Sequence, residues 1–377
     1  MSQAAPESWF KRLLLPGLSF KAVVIGGGYA TGREIAEFFL PAGAWGGIAA
    51  IALATAIWSA VCVATFLVAR AARARDYRAF FKVLLGRGWI LFEIAYALFV
   101  MLLLAVFGAA AGEIVHTTGL PPMAGTVALM AGIAGFAAFG NTAVERLFTW
   151  VSVLLYGVYA VFLVLALSSF GDRIAAAFAQ GAPAGHGWFA DWFGGGLTYA
   201  SYNIIGAIVI LPVTRHLASN RDAVIAGAIA GPLAMLPALM FFVCMAAFLP
   251  GIAGEALPSD FLLRQLGQPL FHVLFQLMIF SALLESGTGA VHAINERIAA
   301  AWRHNRGAPP TVPWRAAITI ALLVLCMVVA DRVGLIALIA NGYRALAFVL
   351  LALYILPLLT IGLWRFRNGQ LAPGEAR

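Results

Sequence analysis

Charge is what this sequence has least of. Only 11% of its 377 residues are Asp, Glu, Lys or Arg, 63% are hydrophobic, and the mean hydropathy is +0.93. A soluble domain carries about 25% charged residues and about 45–50% apolar ones. This chain lacks the polar surface that water requires, so lipid must be its solvent. Cysteine is scarce as well. Cys62, Cys244 and Cys326 all fall inside apolar runs, without disulfide or metal-ligand spacing, which excludes a disulfide scaffold or a zinc module. The motifs of a membrane-embedded enzyme are missing: there is no HExxH, GxSxG or Walker loop, and His116, His186, His216, His272, His292 and His304 scatter over both sides. No catalytic centre and no cofactor is expected beyond a coupling ion. The polar residues 1–12 lack the apolar core and cleavage site of a signal peptide, so no removable leader is expected.

What is present is a succession of apolar runs, at 18–39, 44–69, 88–112, 122–140, 147–169, 194–213, 223–249, 268–300, 315–330 and 342–364. Each is long enough, or nearly so, to cross about 30 Å of hydrocarbon at 1.5 Å per residue. The apolar stretch 333–340 is too short to span and reads as a re-entrant or surface segment ended by Asn341-Gly342. The net charge of +8 has no basic groove with interleaved aromatics behind it, so no nucleic-acid partner is expected. It follows the positive-inside rule instead. With the N-terminus inside, Lys11, Arg12, Arg70, Arg73, Arg75, Arg78, Lys82, Arg87, Arg297, Arg303, Arg306, Arg365 and Arg367 all fall on that side. Only Arg33, Arg173, Arg264 and Arg332 fall outside. Both termini are therefore expected in the cytoplasm of a bacterial inner-membrane protein.

The halves resemble each other. Gly17-Leu18-Ser19-Phe20 opens the first span and Gly196-Leu197-Thr198-Tyr199 opens the sixth; the same offset of 179 carries Gly27 onto Gly206. Five spans per half is an odd number, so the second half enters from the opposite side and the repeats are inverted, as in many secondary transporters. The expected organisation is 1–170 for the first repeat, 171–193 for an outer connection, 194–366 for the second repeat and 367–377 for a tail.

The first span contains Gly26-Gly27-Gly28-Tyr29-Ala30-Thr31-Gly32. So many glycines at mid-membrane are poor for a helix, and unwound backbone is tolerated in lipid only where it lines a polar cavity. The spacing predicts a break rather than a packing motif. The sixth span carries Tyr202, Asn203 and Gly206 at the equivalent place. Two interrupted helices at corresponding positions point to a binding site. The restart around Tyr29, Thr31 and Gly32 would suit a carboxylate, and the carbonyls from Val24 to Gly26 a cation. In the eighth span Glu285 lies deep, on one face with Ser281, Thr288, His292 and Glu296. A carboxylate at such depth should face a cavity or a partner. Arg33, Glu34 and Glu37 lie in the outer half of the first span, either as an external gate or as a solvated helix end. Arg344 lies near the outer surface if the last helix starts at Gly342, and deep, within reach of Glu37, if it starts at Val333.

Residues 26–39, Gly-Gly-Gly-Tyr-Ala-Thr-Gly-Arg-Glu-Ile-Ala-Glu-Phe-Phe, resemble the first-helix signature of the YkvI-like membrane proteins. That family is regarded as amino-acid permeases of the amino acid–polyamine–cation superfamily. The resemblance covers the whole span pattern and is sharpest in the first span, in Ser201 to Gly206 and in the eighth span. Where the family often has Ser-Gly-Gln-Glu, this chain has Thr31-Gly32-Arg33-Glu34. The resemblance implies an all-α membrane protein of about ten helices with the LeuT-type 5+5 inverted repeat and broken helices one and six. It also implies a sodium site between the first break and mid-helix eight, where Ser286 and Thr288 offer hydroxyls.

The reading is thus a cation-coupled secondary transporter of a small zwitterionic solute, an amino acid first, with sodium or a proton as coupling ion. Gly26, Gly27, Gly28, Tyr29, Thr31, Gly32, Tyr202, Asn203 and Gly206 are expected at the substrate. Val24, Glu285, Ser286 and Thr288 are expected at the ion, and Arg33, Glu37 and Arg344 at a gate. A nucleobase or organic-cation carrier, or a sensor with the same fold, is the alternative.

Overall fold

The computed structural model describes residues 8–24, 27–139, 141–180, 188–306 and 311–371. These residues are helical almost throughout, with no strand among them. Lipid accounts for this: a backbone group with no water to bond must be satisfied within its own segment, and a helix does that. Seven helices are long and apolar enough to cross a bilayer. Three more spans complete the set of ten: the shorter Pro122–Phe139 and two interrupted ones. Span one runs as Leu15–Val24, Gly27–Ala30 and Arg33–Phe38, and span six as Trp188–Asn203 and Ile205–Val209. The others are Gly43–Ala71 (span two), Trp89–His116 (three), Asn141–Ala179 (five), Asn220–Ala246 (seven), Pro269–Arg306 (eight), Val312–Val333 (nine) and Leu335–Arg367 (ten).

Two parts differ from the sequence expectation. The stretch 333–340 is no re-entrant segment; Leu335 opens span ten, and Asn341-Gly342 is absorbed into a π-helical turn over Leu338–Tyr343. Gly342 is there for contact, since a Cβ on it would lie 2.7 Å from a methyl of Leu102. In addition, the basic connection after span two folds into an amphipathic helix, Tyr77–Leu85, which buries Phe80, Phe81 and Leu84. Asp76 caps it by accepting from the Ala79 amide at 2.9 Å. The outer connection expected over 171–193 is helical up to Ala179 and again from Trp188.

The inverted repeat shows in its contacts. Gly17 of span one packs against Ala230 of span seven, where a Cβ would be 3.3 Å from Ala230 Cα. Gly196 of span six packs against Ala50 of span two, where a Cβ would be 2.6 Å from Ala50 O. The offset of 179 nearly exchanges these two pairs. It also carries Gly47, whose Cβ would overlap the Phe242 ring, to within one residue of Gly227, whose Cβ would be 2.5 Å from Val63 N. Spans two and seven therefore meet about a pseudo-two-fold axis through small residues, the packing on which membrane helices rely. Spans one and six each cross the opposite repeat. At the base of the bundle Arg12 holds Asp222, the N3 residue of span seven, through two bonds of 2.9 and 2.8 Å.

Candidate functional site: a cavity between the broken helices

Both interruptions have local causes. In span one, Gly32 takes φ +77°, a conformation that ends the preceding turn and that glycine adopts without a Cβ penalty. Its N–H donates to Tyr29 O at 3.0 Å, and the Arg33 N–H donates to Thr31 Oγ1 at 3.3 Å. The Thr31 carbonyl, freed by the break, accepts from Ser259 N at 3.0 Å. Ser259 belongs to the outer connection between spans seven and eight, whose helix is Pro258–Leu266. In span six the helix breaks at Ile204: the Asn203 amide donates to Tyr199 O, and the buried Trp58 indole donates to Ala200 O at 3.1 Å.

Between the breaks lies a cavity of about 400 Å³. Span one contributes Val24, Tyr29 and Glu34; span six Tyr202, Asn203 and Val209; span eight Glu285, Ser286 and His292; span three Tyr96 and Phe99; and span ten Tyr343. Glu34 is buried and accepts from the Tyr202 hydroxyl at 2.6 Å. The Tyr202 and Tyr343 rings stack at 4.5 Å. The hydroxyls of Tyr29 and Tyr343 are buried without a partner in the described structure. A buried polar group without a partner costs about 1–3 kcal/mol, and both oxygens are closed off from the cavity in this conformation.

The cavity has a direction. Most of its lining comes from Ala22 to Val24 of span one, the first half of span three and the second half of spans six and eight, while Tyr29, Glu34 and Tyr343 lie at its far end. With alternating spans, that larger part of the lining lies on the side of the N-terminus. The opposite side is closed. There Arg33 is 4% exposed, and its Nη1 donates to the carbonyls of Ala253 and Glu255 at 2.7 and 2.8 Å. Its Nη2 holds Glu37 at 2.6 Å, and Arg344 lies 3.9 Å from the same carboxylate. A second cavity, of about 360 Å³, lies on that closed face, with Glu113 and His116 in its wall. Its Asp260 is within 2.7 Å of His272 and 3.1 Å of Arg264.

Of the residues expected at the substrate and ion, the structure brings Val24, Tyr29, Tyr202, Asn203, Glu285 and Ser286 to one cavity. It brings Arg33, Glu37 and Arg344 to one cluster. Thr31, Gly32, Gly206 and Thr288 are outside the lining. Thr31 and Gly32 build the break, Gly206 packs on Phe20, and the Thr288 hydroxyl donates to Leu284 O at 2.7 Å. Gly27 and Gly28 form a helical turn of which the backbone alone is described, and Gly26 lies outside the described residues. Glu34, Tyr96 and Tyr343 were not singled out for the site. Tyr96 and Tyr343 carry no sequence signal; Glu34 does, as a carboxylate beside the glycine run.

No family model matches the chain, and no curated protein matches it. Solved structures do. The chain is similar to MhsT in complex with L-phenylalanine, with a TM-score of 0.57 and 16% identity over 98% of this chain and 99% of that one. It is also similar to the Eremococcus coleocola manganese transporter in complex with an aromatic bis-isothiourea substituted compound. There the TM-score is 0.56 and the identity 15%, over 94% of this chain and 82% of the other. Near end-to-end coverage at such low identity speaks for architecture: this is an integral membrane protein with the LeuT-type fold of ten helices, the first and sixth broken.

Proposed function

We propose that this chain is a cation-coupled secondary transporter that carries a small zwitterionic solute of the amino-acid type by alternating access, in a bacterial inner membrane with both termini cytoplasmic. The observation that carries this reading is the cavity itself. It sits where two inverted repeats break their helices, is open in its lining toward one side, and is closed on the other by aromatic and ionic contacts. A ligand-binding cavity between repeats is what alternating access needs. In this reading Tyr29, Tyr202 and Asn203 contact the solute. Glu285 and Ser286, with the Val24 carbonyl, hold sodium or a proton, and Arg33, Glu37 and Arg344 close the outer gate. The likeness to transporters, one of them solved with L-phenylalanine, supports the mode of action and leaves the cargo to experiment.

The test is uptake of pooled labelled amino acids into proteoliposomes under imposed sodium or proton gradients in separate samples. Accumulation driven by one gradient is the expected result and names the ion. Tight solute binding with no flux under either gradient, in folded protein, would replace the transporter by a sensor of the same fold.

A further inference from the structure

The charges around the cavity are lopsided. Its lining includes two carboxyl groups, Glu34 and Glu285, and the imidazole of His292, but neither lysine nor arginine. Three described bases lie near it. Arg297 of span eight lies 3.4 Å over the Tyr96 ring and 3.7 Å from Glu93, on the side of Tyr77. Arg33 follows the break directly, but its guanidinium is turned outward onto Ala253 O, Glu255 O and Glu37. Lys21 of span one lies over the Tyr156 ring, 4.4 Å from its centroid, and is outside the lining. At the restart of span one the Arg33 amide is already bonded to Thr31 Oγ1. Among the described residues, a substrate carboxylate would meet two carboxyl groups in the lining and no basic side chain.

A protonated amine meets the opposite situation. The Glu34 carboxylate accepts from Tyr202 on Oε2 at 2.6 Å, and an ionised carboxylate has about four acceptor positions. An ammonium has three N–H groups to place. The hydroxyl oxygens of Tyr29 and Tyr343 belong to lining residues but are closed off from the cavity in this conformation. Phe99 adds an aromatic ring to the lining, the kind of group that attracts organic cations, while the Tyr96 ring carries Arg297 and the Tyr202 and Tyr343 rings stack on each other. A buried carboxyl group is costly to ionise without a cation, and a cationic ligand beside Glu34 offsets that cost.

We infer that the cavity recognises its solute by an amine seated on Glu34 and that the carboxylate of an amino acid is dispensable, so that protonated primary amines with an apolar body bind the same site. The inference rests on the transporter reading for its location and deepens it by naming the group that is read. It can be tested on purified wild-type protein by ligand-induced thermal shift, confirmed by calorimetry. The probes are matched triplets on isobutyl, phenyl and indolyl bodies: the amine, the α-amino acid and the carboxylic acid without the amine. The expected result is that amine and amino acid of at least one body raise the melting temperature, while the acid does not. In Glu34→Gln the affinity of both binders falls at least ten-fold, and Glu34→Asp recovers part of it. Stabilisation by an acid, binding of amino acids without binding of the matching amines, or no binding in any triplet would overturn the inference. The wild-type ligand pattern decides this even if Glu34→Gln does not fold. The two readings fail separately. Amines that bind but cross no proteoliposome membrane would remove transport and leave the amine site. Gradient-driven uptake of some other solute, with no amine bound, would remove the amine site and leave transport.

Discussion

At Glu34 the chain places a carboxyl group against the Tyr202 hydroxyl inside a hydrocarbon-thick bundle, and this pairing sets what each neighbouring substitution should do. Tyr202→Phe keeps the ring stacked on Tyr343 and removes the donor. A charged hydrogen bond of this kind is worth about 1.5–3 kcal/mol, so solute affinity should fall by about ten-fold or more in calorimetry. Tyr343→Phe removes a hydroxyl that has no protein partner, so any loss of affinity there reports a bond made to the solute alone. In span eight, Glu285 and Ser286 face the cavity while the Thr288 hydroxyl is spent on Leu284 O. Glu285→Gln should therefore change the ion dependence of uptake, and Thr288→Ala should leave it as in wild type; the reverse pattern would move the ion site one turn along the helix. Tyr29, Asn203 and Glu285 were legible in the sequence because a polar group deep in an apolar run has few reasons to be there. Glu34 was harder. Beside Arg33 and Glu37 it reads as part of a charged helix end; all three share the helix Arg33–Phe38, where Arg33 and Glu37 pair across one turn and Glu34 points elsewhere, to Tyr202.

At the scale of helices, hydropathy alone located ten spans to within a few residues for most, because the bilayer thickness sets their length. What it missed follows local chemistry. The helix Tyr77–Leu85 is hidden by Arg75, Arg78 and Lys82, whose charge reads as loop although Phe80, Phe81 and Leu84 share one face. The start of span ten is hidden by Asn341-Gly342, a turn signal in water that lipid overrides, since an unpaired backbone is worse there than a π-helical turn. The inverted repeat left few matching letters because its symmetry is held by close approach, which needs only small residues at Gly17, Gly47, Gly196 and Gly227. That gives a test. Gly227→Val places a side chain against the Val63 backbone and should destabilise the detergent-solubilised protein by about 1–3 kcal/mol, the usual cost of overpacking. Gly135→Ala, with nothing within 4 Å of the added carbon, should be neutral or slightly stabilising in the same melt. Equal melting temperatures for the two variants would mean that spans two and seven can separate freely.

For the whole molecule, most of the cavity lining lies toward the N-terminal side, and in the proposed alternating-access cycle this conformation is one of two states, with the far side sealed. The seal combines the Tyr202–Tyr343 stack with the Arg33–Glu37–Arg344 cluster. Glu37 is the shared element, since both arginines converge on its carboxylate. Removing its charge should therefore weaken the seal without touching the cavity. A bias of about 1 kcal/mol changes a two-state ratio about five-fold, so Glu37→Gln should populate the opposite state measurably. Val209 makes a suitable reporter because it lines the cavity and is 44% exposed, while the native Cys62, Cys244 and Cys326 are at most 1% exposed and should react slowly. In Val209→Cys, a membrane-impermeant thiol reagent should label the site from the N-terminal side. Adding Glu37→Gln should slow that labelling several-fold, and ligand should protect the cysteine in both backgrounds. Labelling that stays as fast in the double variant, with the protein still folded, would show that the cluster fastens the outer connection to span one and has no part in gating, because a gate residue must bias the two states and a fastener need not.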